Sequence, residues 1–349
     1  MLHYTLTHLK IQEKGERKLD NPYLRTLEPA WKNLDYVSIN EEKLQVLIVR
    51  MRELKEQGGL KAPTWDNPYS HPPASCRPSL AIDYVCWVNA VNFAFTNFEP
   101  PYTKFTIEYP KGTFQVGSFA LGASFMRAYD ILPVFDAKFM SRVSLKDVER
   151  IFQPSDSLHK IPIIRERWRI FREVGKILLD KYNGSWMNLF IQSGFQAFAG
   201  GKGIVEQLVD NFPSFQDTRQ YKGRLLKFHK RAQLLAMMYH SRAASSGNIP
   251  KLWDIQDIGP IADYELPRAL RFLGILEYAP AMEEAIQRHQ IQRVYNDCRW
   301  ETENRLAMSY VMKRICDEVG VNMDRADFYV WRLGRACPNP HMLVLTTDY

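Results

Sequence analysis

The chain has 349 residues, 46% hydrophobic and 24% charged, a balance that supports a large buried core and excludes a disordered or low-complexity protein. Its formal net charge of +7 admits acidic partners. Acids such as Glu166, Glu173 and Asp217 nevertheless interrupt or adjoin the basic runs at 165–176 and 219–231, so no uniformly basic nucleic-acid face is visible. Five cysteines without a CxxC pair, and eight histidines without an HExxH pattern, exclude a disulfide framework and the common zinc signatures.

No charged-then-apolar leader opens the chain and no apolar run is long enough to span a bilayer, so a soluble, cytoplasmic protein is expected. Over 38–56, Leu44, Leu47, Ile48, Met51 and Leu54 recur every three or four residues and predict a helix that Gly58-Gly59 ends. The stretch 59–78, with its Pro, Asn and Ser residues, predicts a long exposed loop. The apolar run 80–98 is broken by Asp83, Asn89, Asn92 and Asn97, and reads as a buried element. Segments 103–109 and 113–119, rich in β-branched and aromatic residues around Pro110-Lys-Gly112, predict a hairpin.

Further along, Ser144-Leu-Lys-Asp147 is a capping box that opens a short helix. Over 163–182, Ile164, Trp168, Phe171, Leu178 and Tyr182 mark one helical face, stopped by Asn183-Gly184. Helices are also predicted over 202–211, 230–244, 266–276, 281–289 and 302–319, and a strand over 342–346. The fold class expected is mainly α with a small β appendage.

Two motifs fail on inspection. Gly200-Gly-Lys-Gly203 lacks the earlier glycine and the following hydroxyl of a phosphate loop. Asn183-Gly-Ser185 matches a glycosylation acceptor but reads as a turn.

Several segments then act together. Pro162-Ile-Ile-Arg-Glu-Arg-Trp168 and Gly175-Lys-Ile-Leu-Leu179 are followed by Phe212-Pro-Ser-Phe-Gln-Asp217, Tyr221-Lys-Gly-Arg224 and Phe228-His-Lys-Arg-Ala-Gln233. Ala262-Asp-Tyr-Glu-Leu-Pro267 and Leu273-Gly-Ile-Leu276 come next. Asn92-Phe-Ala-Phe95, Glu301-Thr-Glu-Asn-Arg305 and Asp327-Phe-Tyr-Val-Trp331 add support. In order and spacing these resemble the queuosine salvage protein family, from about residue 35 to the last residue; residues 1–34 read as an N-terminal extension. Thr96 departs from the pattern, standing where the family typically carries Trp.

The resemblance implies a helical fold related to DNA glycosylases, as one domain or two packed subdomains over 35–349. It also implies hydrolysis of the N-glycosidic bond of queuosine 5′-monophosphate to queuine and ribose 5-phosphate. No metal and no organic cofactor are implied, and the partner is a small molecule rather than a stably bound nucleic acid. Asp263 corresponds to the catalytic carboxylate; on its own residues it equally reads as a helix cap. Asp217 is the competing carboxylate or a turn residue. Lys230 and Arg231 are candidate 5′-phosphate cations, with His341 a further one. Asn92, Phe93, Phe95 and Tyr264 are candidates for the base pocket, against ordinary core packing. Glu301 and Glu303 read either as parts of a buried ion-pair network with Arg305 or, for Glu303, as a partner of the base's amino groups. The competing readings are a DNA or RNA base glycosylase and a non-catalytic binding protein for the modified base.

Overall fold

The computed structural model describes residues 21–294 and 298–349. Among them lie fourteen α-helices and four two-stranded sheets, so the architecture is mainly α with small β elements, as the periodicity predicts. None of the helices is long and apolar enough to cross a membrane.

The amphipathic segments fold as their spacing requires. The Glu41–Glu56 helix starts behind Asn40, whose side chain accepts the Lys43 amide, and buries Leu44, Leu47, Ile48 and Met51. Ser144 and Asp147 exchange side-chain-to-amide bonds at the head of the Leu145–Ile151 helix. The Ile164–Tyr182 helix stops at Asn183, which adopts a left-handed conformation. The 106–108 and 114–116 strands pair antiparallel, Ile107 opposite Gln115. Val344–Leu345 forms a short strand against Gln292–Arg293.

Four departures from the sequence reading have physical causes. The helix expected to reach residue 276 ends at Phe272, because Gly274 turns left-handed (φ 69°) and releases Leu276–Tyr278 to pair with Val37–Ile39. Gly117 (φ 63°) likewise ends the second hairpin strand at Val116 and starts the Ser118–Tyr129 helix. A second hairpin, Thr218–Tyr221 with Arg224–Lys227, turns through Lys222 and Gly223, both at positive φ. Residues 59–78 carry little regular structure, as predicted, but they are not simply exposed: Leu60, Trp65 and Ser70 are buried.

Two helices with little apolar periodicity form the centre. Pro78–Ala90 is buried from Ala81 onward except at Asp83, and packs against Lys230–Ser246. Beside them, Glu265–Phe272 packs against Met323–Ala336 so closely that a methyl group on Gly334 would overlap the Glu265 carbonyl. Residues 1–20 lie outside the described residues. The rest of the expected extension docks on the body, where buried Asn21 donates to Gln233 Oε1 at 2.8 Å and to the Asp257 carbonyl at 3.0 Å.

Candidate active site

A cavity of about 370 Å³ opens where these central helices meet the 63–71 segment and the start of the Ser118–Tyr129 helix. This volume falls within the range of small-molecule sites. Asp263, Lys230 and Asp327 line it together with Tyr264, Asn92, Phe93 and Phe95.

Asp263 precedes the Glu265–Phe272 helix, and its Oδ1 accepts the amides of Glu265 at 2.9 Å and Leu266 at 3.1 Å. The capping role read from the sequence is therefore present. One oxygen performs it, and the side chain still lines the cavity. Burial pushes the Asp263 carboxyl above its ordinary range, while Lys230 and the two amides pull it back.

Lys230 opens the Lys230–Ser246 helix, its amide held by Asp217 Oδ2 at 3.1 Å. Burial lowers its ammonium to about 8, against the attraction of Asp263. Asp327, on the Met323–Ala336 helix, is pushed well above the ordinary carboxylate range by burial and by Asp263. Its Oδ1 is buried without a hydrogen-bond partner. Two carboxylates and one ammonium therefore share this site, where burial works against the charged form of all three while Asp263 and Lys230 support each other's charge.

The base-pocket candidates form one wall. Asn92 donates to Asn89 Oδ1 at 3.2 Å. The left-handed turn at Ala94 (φ 40°) is held by Arg167, whose guanidinium donates to the carbonyls of Val91, Phe93 and Ala94 at 3.0, 2.5 and 2.7 Å. Tyr264 stacks on His341 with centroids 4.2 Å apart.

The other candidates lie elsewhere. The Arg231 guanidinium donates to the carbonyls of Ala90 and Ser214, outside the cavity lining, so it is not a cavity cation. His341 sits behind Tyr264, between the Thr96 hydroxyl and the Met342 carbonyl, and burial lowers it to about 4; it is neutral near pH 7 and a poor anion ligand. Thr96, the departure from the family pattern, is thus a hydrogen-bond partner of this histidine. Asp217 pairs with Arg305, at 2.9 Å between Oδ1 and a terminal guanidinium nitrogen, and does not line the cavity. Glu303 accepts the amides of Asp35 and Tyr36 at 2.8 and 2.6 Å and the Tyr221 hydroxyl at 2.9 Å, which makes it an anchor for the docked N-terminal segment. Glu301 joins the Arg219–Arg305 ion-pair network.

Other lining residues were not legible as site residues. Lys104 forms an ion pair with Glu265 at 2.7 Å, and Arg335 lies over the rings of Phe119 and Trp331 at 5.0 and 5.2 Å. Trp65 enters from the 63–71 segment, its indole N–H donating to Ser241 Oγ at 3.0 Å. A signal for part of this set exists in the sequence: Asp327, Trp331 and Arg335 recur every four residues, one helical face.

A sequence model of the family described as "Queuosine salvage protein" matches residues 71–341. The chain is similar to the queuosine 5′-phosphate N-glycosylase/hydrolase of Mus musculus, 32% identical over 73% of this chain and 76% of that protein. It is similar to the protein of the same name from Sphaerobacter thermophilus, 33% identical over 65% and 66%, and to that of Schizosaccharomyces pombe, 28% identical over 87% and 88%. The matched span holds Asp263, Lys230 and Asp327 together with most of the cavity lining, and on these grounds the chain belongs to the queuosine salvage protein family.

Proposed function

We propose that this chain hydrolyses the N-glycosidic bond of queuosine 5′-monophosphate, releasing queuine for reuse in tRNA modification and leaving ribose 5-phosphate. The observation that carries the reading is that Asp263, Lys230 and Asp327 line one cavity with an aromatic wall, Asp263 and Lys230 each favouring the other's charged form. The relatives' names describe the same activity.

Breaking this bond sends its electron pair out with the base and leaves cationic character on the sugar. An ionised carboxylate beneath the anomeric carbon stabilises that cation, and can either orient a water or attack directly. Asp263 suits this task. Its Oδ1 is fixed by two amides, which leaves Oδ2 for the sugar, and Lys230 favours its ionised form despite burial. Queuine is a 7-deazapurine and lacks the N7 that purine hydrolases often protonate, so electrostatic stabilisation carries more of the rate. The Asp327 carboxyl, which burial and Asp263 push toward its protonated form, lines the same cavity.

Phe95 offers aromatic surface to the flat base, with the fully buried Phe93 packed in the same wall, and Asn92 an amide for its polar edge. For the 5′-phosphate we favour Lys104 and Arg335, aided by the backbone amides at the start of the Ser118–Tyr129 helix, which has no side-chain cap. We take the reaction to be cytoplasmic, in keeping with five cysteines that are all unpaired.

The direct test incubates the pure protein with queuosine 5′-monophosphate, queuosine or guanosine 5′-monophosphate and follows products by mass spectrometry. Queuine and ribose 5-phosphate from the first substrate, absent with Asp263→Asn, are expected. Intact substrate after long incubation would overturn the assignment. Cleavage of a base from oligonucleotides, with steep salt dependence, would favour a polynucleotide glycosylase instead.

A further inference from the structure

Two buried guanidinium groups stand behind the base wall. Arg167 is 0% and Arg231 1% exposed. The Arg167 guanidinium carbon lies 4.1 Å from the Phe93 ring centroid and 5.8 Å from that of Phe95; that of Arg231 lies 5.2 Å from the Phe93 centroid. Phe93 and Phe95 line the cavity, whereas the two arginines do not. Both arginines donate to backbone carbonyls, and among the described residues neither forms an ion pair with a carboxylate. Burial lowers them only to about 9 and about 10, so both remain charged near neutral pH.

Burying two like charges side by side is costly, and hydrogen bonds to the same carbonyls are available to neutral side chains at lower cost. The arrangement therefore calls for a role for the charge itself. Asp263 and Lys230 form the ionic centre of the cavity, and Asp263 is not among the charges that act most strongly on either arginine.

We propose that Arg167 and Arg231 act through Phe93 as an electrostatic positioning pair, holding positive potential at the base end of the cavity to stabilise negative charge on the departing base. The inference rests on the hydrolase reading above. In that reaction the C1′–N9 bond breaks and its electron pair goes to N9. The oxygen of water bonds to C1′ as a hydroxyl, the one proton that water loses is matched by the one that N9 gains, and the products are queuine, protonated at N9, and the hemiacetal ribose 5-phosphate. A base that cannot be protonated at N7 carries much of that electron pair before it gains its proton. Cations fixed behind the ring wall then favour the transition state over the bound substrate, at no reorganisation cost. The sugar side of the same bond, which turns cationic, is served by Asp263, so the field runs along the direction in which the electrons move.

The test compares Arg167→Gln, which removes the charge but keeps hydrogen-bond donors, with Arg167→Lys, which keeps the charge but loses the planar fork. The substrates are queuosine 5′-monophosphate and a series of 7-substituted 7-deazaguanosine 5′-monophosphates whose bases differ in N9–H acidity. Single-turnover rates are plotted against that acidity. Arg167→Gln is expected to lower the rate with the poorest leaving base by on the order of tenfold to a hundredfold, with KM within about threefold, and to steepen the dependence on leaving-group acidity. Arg167→Lys should retain the wild-type slope. If Arg167→Gln does not fold, the same pair at Arg231 gives the comparison.

An equal loss of rate across the whole series, or a loss in the Lys variant matching that in the Gln variant, overturns the proposal and leaves the arginines as backbone staples. Wild-type protein that cleaves none of the series instead overturns the hydrolase reading, and this inference with it.

Discussion

Arg305 and Asp217 form a buried bidentate ion pair that ties together the backbones carrying both charged members of the site. Arg305 Nε donates to the carbonyl of Ala262, the residue before Asp263, at 3.0 Å, while Asp217 Oδ2 accepts the amide of Lys230 at 3.1 Å. The guanidinium is also sandwiched between the rings of Phe228 and Tyr349, at 4.0 and 4.4 Å. Removing one partner leaves an uncompensated buried charge. Arg305→Met is therefore expected to cost about 3–5 kcal/mol in urea unfolding, and Asp217→Asn in the same background should recover part of it. A loss below about 1 kcal/mol in the single variant would contradict the clamp.

The two cavity carboxylates should separate on substitution. Asp263→Asn keeps an acceptor for the Glu265 and Leu266 amides, so stability should hold while turnover falls by about a thousandfold or more. Asp263→Ala should additionally cost about 1 kcal/mol through loss of the cap. Burial and Asp263 push Asp327 toward its protonated form, which an amide resembles, so Asp327→Asn should retain a sizeable part of kcat. Equal loss of turnover in Asp263→Asn and Asp327→Asn would contradict the division of roles.

The pH dependence follows from the same pair. Activity requires ionised Asp263 and charged Lys230, so kcat should fall on the alkaline side near pH 8, where Lys230 loses its proton. The acid limb should lie above the ordinary carboxylate range, because burial raises Asp263. Lys230→Met should abolish the alkaline limb and move the acid limb upward, since the cation favouring ionised Asp263 is gone. Stability carries a linked signature. The folded Lys230 binds its proton less tightly than the unfolded one, whose ordinary value is 10.5, so this group's contribution to stability rises as pH increases from about 8 toward 10.5. Denaturant titrations of wild type and Lys230→Met across that window would reveal the difference.

For the phosphate end, Arg335→Met and Lys104→Met are expected to raise KM for queuosine 5′-monophosphate by about tenfold or more while changing KM for queuosine little. The nucleotide-to-nucleoside ratio of kcat/KM is the quantity to measure. A proportional loss on both substrates would assign these cations a structural role and reopen the search for the phosphate contact.

Amphipathic elements were legible because their period of 3.6 survives in the sequence: the 41–56 and 164–182 helices follow from it almost to the residue. The Pro78–Ala90 helix was visible only as a buried run, since its apolar positions extend around the whole circumference. The 218–221 and 224–227 hairpin depends on two consecutive positive φ angles at Lys222 and Gly223, of which the sequence signals only the glycine. Within the site, residue type does not reveal direction. Lys230 and Arg231 are neighbours in the chain, yet only Lys230 lines the cavity, because one helical step of about 100° turns the next side chain toward other carbonyls. His341 likewise looks like an anion ligand by type, and only its burial behind Tyr264 reveals a neutral support.

The close approach at Gly334 has a kinetic consequence. The helix behind Asp263 and the helix bearing Asp327 touch backbone to backbone, so that half of the cavity has no room to widen. Ligand traffic then falls to the opposite side, where the 63–71 segment is held by the Trp65–Ser241 hydrogen bond and by the packing of Trp65 on His71 and Tyr84. Movement of this segment against the stiff floor is then expected to contribute to the rate of product escape. Rapid mixing should show a first turnover faster than all those that follow, and cutting the tether with Trp65→Ala should erase that difference.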